Sequence, residues 1–257
     1  MKMKQIKYSL DDNRVDKTKN EAIIFIHGAA SCNQIWKNQI KGLSSQIKVI
    51  AVNLPSHFGS EGPESPIMET YVSAINNLID SLKLEKVILA GHSMGGAVVL
   101  SYYLQYPQKV DGLILIGTGA RLKVMPIILD LTQNNYFQFI EMSSEFAFHR
   151  KTIKNNKAII EEVKKNMVQI SSKIAYSDFK ICNEFDVMDR LGEIQAPTLI
   201  LVGDSDQLTP VKYSKYMHDH IQKSELYIIE DAGHMVMLEK GEQINKYIKE
   251  FIKKILN

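Results

Sequence analysis

Five consecutive residues, Gly91-His92-Ser93-Met94-Gly95, carry the strongest chemical signal in the chain. They follow the apolar run Lys86-Val87-Ile88-Leu89 and lead into Ala97-Val98-Val99-Leu100-Ser101-Tyr102-Tyr103, where apolar residues recur at helical spacing. That order predicts a strand, a sharp turn and a helix. A serine at the tip of such a turn is held in a strained backbone conformation, and its flanking glycines are needed because side chains there would strike the neighbouring strand or helix. Its hydroxyl then stands clear of the sheet beside a helix N-terminus, whose free N–H groups favour developing negative charge. Such a hydroxyl suits attack on an acyl carbon. The reaction further needs a histidine base, a carboxylate to orient it and a second backbone N–H for the oxyanion.

Other chemistries find less support. No Gly-x-x-x-x-Gly-Lys or Gly-x-Gly-x-x-Gly loop follows a strand, which argues against a nucleotide enzyme. Cys32 and Cys182 stand far apart and form no C-x-x-C, so neither a disulfide framework nor a zinc site is expected. His218 and His220 would point to nearly opposite faces of one helix and cannot chelate a metal together. No metal and no cofactor is therefore expected.

The elements that must position the serine and its partners read as an α/β alternation. Lys4 to Leu10 alternate as an edge strand, and Ala22-Ile23-Ile24-Phe25-Ile26, Lys48-Val49-Ile50-Ala51-Val52, Val110 to Gly117, Ala196 to Val202 and Glu225 to Ile229 are runs suited to strands. Continuous apolar runs of this length fit parallel strands covered on both faces. Trp36 is expected to open a helix to about Leu43 and to anchor the core, while Ser65-Pro66 should cap and open a helix to about Leu82. Between about Arg121 and Met188 the alternation breaks, and short helices rich in Met, Ile and Phe are predicted at Val124–Leu129, Tyr136–Ile140, Phe146–Phe148 and Ala158–Val163. His149 in this block reads as solvated. The closing helix carries Ile244, Tyr247, Ile248, Phe251, Ile252 and Ile255 on one face, a spacing that packing on the sheet explains.

A chain of 257 residues with 45% apolar content can bury one large core, and a net charge of +2 with scattered lysines implies no nucleic-acid partner. Met1-Lys2-Met3-Lys4 is basic, but Gln5, Lys7 and Asp11-Asp12 interrupt any signal-like apolar segment, and no stretch is long enough to span a membrane. A soluble cytoplasmic protein is the expectation.

From Ile23 to about Glu242 the chain resembles the α/β-hydrolase fold in its capped, esterase-like branch, on the strength of the serine turn and of three further segments. His27-Gly28-Ala29-Ala30 is similar to the oxyanion loop of that family, which implies that the N–H groups of Ala29 and Met94 form the oxyanion hole and that His27 ties the loop to nearby backbone. Gly203-Asp204-Ser205-Asp206-Gln207-Leu208-Thr209-Pro210 is similar to the family's Gly-x-x-Asp-x-x-x-Pro, which implies Asp206 as the acid and leaves Asp204 as a rival better suited to forming a turn. Gly233-His234, past the final strand, implies His234 as the base, and the order Ser93, Asp206, His234 matches the family. Thr118-Gly119-Ala120 holds no carboxylate, although some relatives carry the acid there. The loop Asn53-Leu54-Pro55-Ser56-His57-Phe58-Gly59-Ser60 departs from the usual Asp-Leu-Pro-Gly-His-Gly-x-Ser; Phe58 could line the site entrance or simply pack.

The resemblance implies a mostly parallel, doubly wound sheet with a helical cap inserted after the sixth strand. Residues 1–120 and 189–257 would form the core domain and 121–188 the cap. The implied activity is hydrolysis of small or medium acyl esters with a hydrophobic part. An enol-lactonase, a thioesterase, a carbon–carbon bond hydrolase or a lyase could share these residues, and a non-catalytic small-ligand receptor is the alternative from another class.

Overall fold

The computed structural model describes residues 6–256. Lys4 and the basic N-terminus lie outside them. Seven strands form one sheet in the order β1-β3-β2-β4-β5-β6-β7. They are β1 (Tyr8–Asp11), β2 (Glu21–Ile26), β3 (Lys48–Val52), β4 (Lys86–His92), β5 (Gly112–Ile116), β6 (Thr198–Gly203) and β7 (Ser224–Ile229). Only β1 runs antiparallel, at the edge against β3.

The apolar runs are buried as parallel strands should be: every residue of β2, β5 and β6 is enclosed. Alternation then divides them between two layers. Ile24, Ile26, Leu89, Leu113 and Leu115 pack on one face with Tyr71, Val98 and Tyr102, while Ile23, Phe25, Ile88, Ile114 and Ile116 pack on the other with Trp36, Ile244, Ile248 and Phe251. Each such side chain, fully enclosed, stabilises the fold by about 1.5–3 kcal/mol. The first layer is supplied by α2 (Met68–Leu82) and α3 (Met94–Gln105), the second by α1 (Lys37–Leu43) and the C-terminal helix Gly241–Leu256.

Register matters more than composition for the site. Ile26 lies opposite both Val52 and Gly91, His92 opposite Ile116, Ile116 opposite Leu201, and Gly203 opposite Ile229. The carboxyl ends of these strands therefore share one rim of the sheet. The residues that follow them, His27, Ser93, Gly117, Asp204 and Glu230, all start from that rim.

Five described strands precede the helical insertion, not the six expected. The sixth is implied only by the resemblance: the sequence offers five strand-like runs before the insertion, and in residues 12–20, which lie between the first two, the Asp12 and Asp16 carboxylates bond the Arg14 and Thr18 amides two positions on and form turns. The insertion itself comprises α4 (Pro126–Asn134), α5 (Tyr136–Ala147), α6 (Arg150–Asn155), α7 (Lys157–Val168) and α8 (Ser172–Glu184). Its helices are longer than the apolar clusters alone suggest, α6 and α8 were not foreseen, and Phe146–Phe148 ends α5 instead of forming a helix. The two ends of the block are clasped together: Arg121 and Asp186 form an antiparallel bridge, and the Val187 N–H donates to the Ala120 carbonyl at 2.8 Å. After the insertion come α9 (Val211–His220), α10 (Val236–Glu239) and α11 (Gly241–Leu256). No helix among the described residues is long and apolar enough to cross a membrane.

Candidate active site

β4 ends at His92 and α3 begins at Met94, so Ser93 alone makes the turn, at φ 53° and ψ −118°. Holding a residue with a side chain in that region costs about 1–3 kcal/mol. The surrounding backbone fixes it there: Ser93 N–H donates to the Ile116 carbonyl at 3.0 Å, and the Ser93 carbonyl accepts from Gly96 N–H at 2.9 Å and Thr118 Oγ1 at 2.8 Å. Thr118 stands where the sequence lacks a carboxylate, and its hydroxyl clamps the turn. The flanking glycines answer to close approach: a Cβ on Gly95 would lie 2.2 Å from the Ile26 carbonyl oxygen, and one on Gly91 2.2 Å from the Gly95 carbonyl oxygen.

The structure brings Asp206 and His234 together. His234 Nδ1 lies 2.9 Å from Asp206 Oδ2, and both residues are buried. The remaining acceptor positions of Asp206 take the Leu208 N–H (2.9 Å), the Thr209 N–H (2.8 Å) and the Thr209 hydroxyl (2.8 Å). Burial acts to raise the Asp206 pKa, but the His234 ring and the Thr209 bonds outweigh it and hold the carboxyl below its ordinary value. An ionised acceptor facing Nδ1 keeps the proton on that nitrogen, leaving the Nε2 lone pair of His234 free. Asp204 accepts instead from Ser205 Oγ and from the Asp231 and Ala232 N–H groups, so it ties the loops after β6 and β7 together, whereas the local turn bonds expected of it, to amides two and three positions on, are made by Asp206.

His92 supports the pair from below. Its Nε2 donates to the His234 carbonyl at 3.0 Å, and the two rings lie 4.5 Å apart. Burial, with the His234 ring adding to it, pushes the His92 pKa well below the usual value, so this ring stays neutral.

The loop after β2 closes over the serine turn. A Cβ on Gly28 would fall 3.1 Å from both Ser93 Cβ and His92 Nδ1. His27 ties the loop down: Leu54 N–H donates to its Nε2 at 3.0 Å, so Nδ1 carries the proton and donates to the Gly28 carbonyl at 2.8 Å. Burial, reinforced by the neighbouring His57 ring, lowers the His27 pKa to about 3. Among the described residues nothing accepts the Ala29 N–H, and Met94, at the first position of α3, has no partner within its helix.

Gly28, Ala29, Ser93 and His234 line one cavity of about 310 Å³, whose remaining wall comes from the helical insertion and from the segment Gln207–Tyr213 after β6. Met125, Ile128, Phe139, Met142, Phe146 and Phe148 make that wall largely apolar. Two of its lysines are engaged, Lys164 with Glu141 and Lys123 with the Asn183 carbonyl. Phe58 is not among the lining residues. It and Ser56 instead occupy left-handed backbone (φ 40° and 70°) at the positions where the usual loop has glycine. His149 is half-buried, not solvated: its Nδ1 accepts the Lys151 N–H and caps α6. No group of three or more His, Cys, Asp or Glu among the described residues is placed to hold a metal ion.

Sequence reasoning missed a buried cluster beside the cavity. Asp178 on α8 reaches His57, Tyr71 and the Ala30 N–H from a position with no accessible surface. Its only signal in the sequence is an acidic residue on the apolar face of a helix, between Ala175 and Ile181.

Comparison with known proteins places these features in context. Residues 21–241 match the family model of the alpha/beta hydrolase fold. Over 251 residues the chain is 24% identical to a 2-hydroxy-6-oxo-6-phenylhexa-2,4-dienoate hydrolase of Comamonas testosteroni, covering 91% of this chain and 88% of that one. It is 28% identical over 249 residues to a pimeloyl-[acyl-carrier protein] methyl ester esterase of Wigglesworthia glossinidia brevipalpis, covering 90% and 93%. A solved thermophilic esterase superposes with a TM-score of 0.82 at 30% identity, covering 98% of this chain and 99% of the other.

Proposed function

The chain belongs to the alpha/beta hydrolase fold family, and from that premise we propose that it is a serine hydrolase of small or medium carboxylic esters. Ser93 is the nucleophile, His234 the general base and acid, Asp206 the carboxylate that orients it, and the N–H groups of Ala29 and Met94 the oxyanion hole. Residues 121–188 act as a cap over the core formed by 1–120 and 189–257. Two free, buried cysteines, Cys32 and Cys182, fit a reducing cytoplasmic setting.

The observation that carries this reading is the 2.9 Å bond between His234 Nδ1 and Asp206, which frees Nε2 inside the cavity that Ser93 lines. Ser93 Oγ attacks the ester carbonyl carbon as its proton passes to Nε2 of His234. The C–O bond to the alcohol breaks and His234 returns the proton to that oxygen. Water, deprotonated by His234, then attacks the acyl-enzyme and releases the acid and Ser93. Each oxyanion donor contributes about 2.7–4 kcal/mol to such a step. The apolar wall favours a hydrophobic acyl part.

The test is a panel of p-nitrophenyl esters of rising acyl length with the parent and Ser93→Ala. Loss of the nucleophile lowers kcat by about 10⁶-fold where the triad acts as a unit. Equal turnover by both proteins would remove Ser93 from the reaction. The likeness to the Comamonas 2-hydroxy-6-oxo-6-phenylhexa-2,4-dienoate hydrolase favours, as a second reading, hydrolysis of a carbon–carbon bond by the same residues. Faster turnover of a 2-hydroxy-6-oxodienoate than of any ester would select it.

A further inference from the structure

Asp178 is a carboxylate in the middle of α8 with every oxygen engaged. Oδ2 accepts from the Ala30 N–H and from His57 Nε2, each at 2.9 Å, and Oδ1 accepts from the Tyr71 hydroxyl at 2.5 Å. The other nitrogen of His57, Nδ1, lies 3.0 Å from the Pro55 carbonyl. A carbonyl and a carboxylate can only accept, so both ring nitrogens donate and His57 is an imidazolium. Burial alone would lower its pKa, but the charge and hydrogen bond of Asp178, with the backbone bonds, raise it. The His57 ring also lies 4.8 Å from the ring of His27, which is neutral.

A buried ion pair is a poor source of stability, because desolvation offsets the attraction and an apolar group of similar volume does as well. Its geometric effect is specific here. Ala30 adopts φ 50°, a left-handed conformation that an alanine takes only at a cost of about 1–2 kcal/mol. A charge-assisted bond to its N–H is what holds it. The preceding peptide unit is held separately: Gly28 C=O and Ala29 N–H belong to one planar group and point in opposite directions. The bond from His27 to the Gly28 oxygen therefore aims the Ala29 N–H the other way. The Ala29 donor is thus flanked by two fixed peptide planes, one set by His27 and the next by Asp178.

We propose that Asp178 is a positioning residue for the oxyanion hole: through the Ala30 amide its carboxylate fixes the loop that presents the Ala29 N–H, and His57 with Tyr71 holds that carboxylate in place. The inference rests on the reading of Ala29 and Met94 as oxyanion donors. It also explains why the carboxylate is paired, since an uncompensated negative charge beside the hole would oppose the oxyanion it serves. Because Asp178 sits on the helical insertion, the insertion does more than cover the cavity. It supplies part of the scaffold of the hole.

The experiment compares the parent, Ser93→Ala, Asp178→Asn and Tyr71→Phe on the preferred p-nitrophenyl ester, with affinity for a trifluoromethyl ketone analogue of the tetrahedral intermediate measured in parallel. Asp178→Asn is expected to lower kcat by about 10- to 100-fold, a part of what deleting one donor outright costs. KM stays within about twofold, and affinity for the analogue falls by the same factor as kcat, because only the oxyanion state uses the hole. Tyr71→Phe keeps the ion pair and the fold and is expected to lower kcat at least threefold in the same pattern; it decides the matter where Asp178→Asn does not fold. Ser93→Ala turning over the ester as fast as the parent overturns the hydrolase reading and this inference with it. A dead Ser93→Ala beside folded Asp178→Asn or Tyr71→Phe enzymes with unchanged kcat and analogue affinity overturns this inference alone.

Discussion

Asp206 shows how far a single side chain can be over-determined. It takes four hydrogen bonds, and Thr209 gives two of them, one from its N–H and one from its hydroxyl. Replacing Thr209 by the isosteric valine removes the hydroxyl and leaves a buried carboxylate short of one donor. Thr209→Val is expected to lower unfolding free energy by about 1.5–3 kcal/mol, measured by urea denaturation, with an unchanged slope. The resemblance to the family's Gly-x-x-Asp-x-x-x-Pro is what pointed to Asp206 over Asp204, and Asp206 is the carboxylate that lies 2.9 Å from His234 Nδ1. The partners of His57 were not legible in the sequence: its carboxylate lies 121 positions away, and nothing in either neighbourhood announces the other. Thr118 was legible only as the absence of an acid.

At the scale of elements, the strand–turn–helix around Ser93 behaves as its sequence says, since both glycines are demanded by contacts within a few residues or across one strand. Gly95→Ala would drive a methyl group into the Ile26 carbonyl oxygen, backbone that cannot move without shifting β2. The expected loss is about 1–3 kcal/mol or more, read as a lower urea midpoint, and a midpoint equal to that of the parent would contradict the packing described. Helix starts were less legible. Ser65-Pro66 carries the signature of a first turn, yet α2 begins at Met68, because Thr70 Oγ1 accepts the Ile67 N–H while the Thr70 N–H donates to the Ile67 carbonyl. That reciprocal box outcompetes a serine two residues before it. The helices of the insertion were blurred for another reason: their apolar residues face a cavity as well as a core, which weakens the periodicity on which a boundary depends.

For the whole molecule, the buried histidines set opposite limits on stability. His27, held at about 3, and His92, held well below its ordinary value, stay neutral when folded but accept protons when unfolded. The unfolded chain therefore binds more protons below about pH 6.5, and stability falls as the solution is acidified from there toward pH 3, by up to about 1.4 kcal/mol per pH unit for each ring. Asp206, with its pKa lowered, adds to the loss at the acid end. His57 acts in the other direction: its pKa is raised, so its contribution is complete below about pH 6.5 and is lost as the pH climbs through the folded value above that. Urea unfolding across pH 4 to 9 should show stability rising toward about pH 6.5 and declining at more alkaline pH, with the alkaline decline absent in Asp178→Asn. A flat profile would mean that these rings are not in the states their contacts dictate.

The clasp of Arg121 with Asp186 gives the molecule a modular seam. Entry and exit of five helices meet at one point, so a foreign segment whose ends come equally close could be spliced there while the sheet keeps its path. Such a graft would inherit a new pocket, but it would also lose the tether on Ala30. A recombinant chimera would need to bring an acid of its own at the place Asp178 leaves vacant.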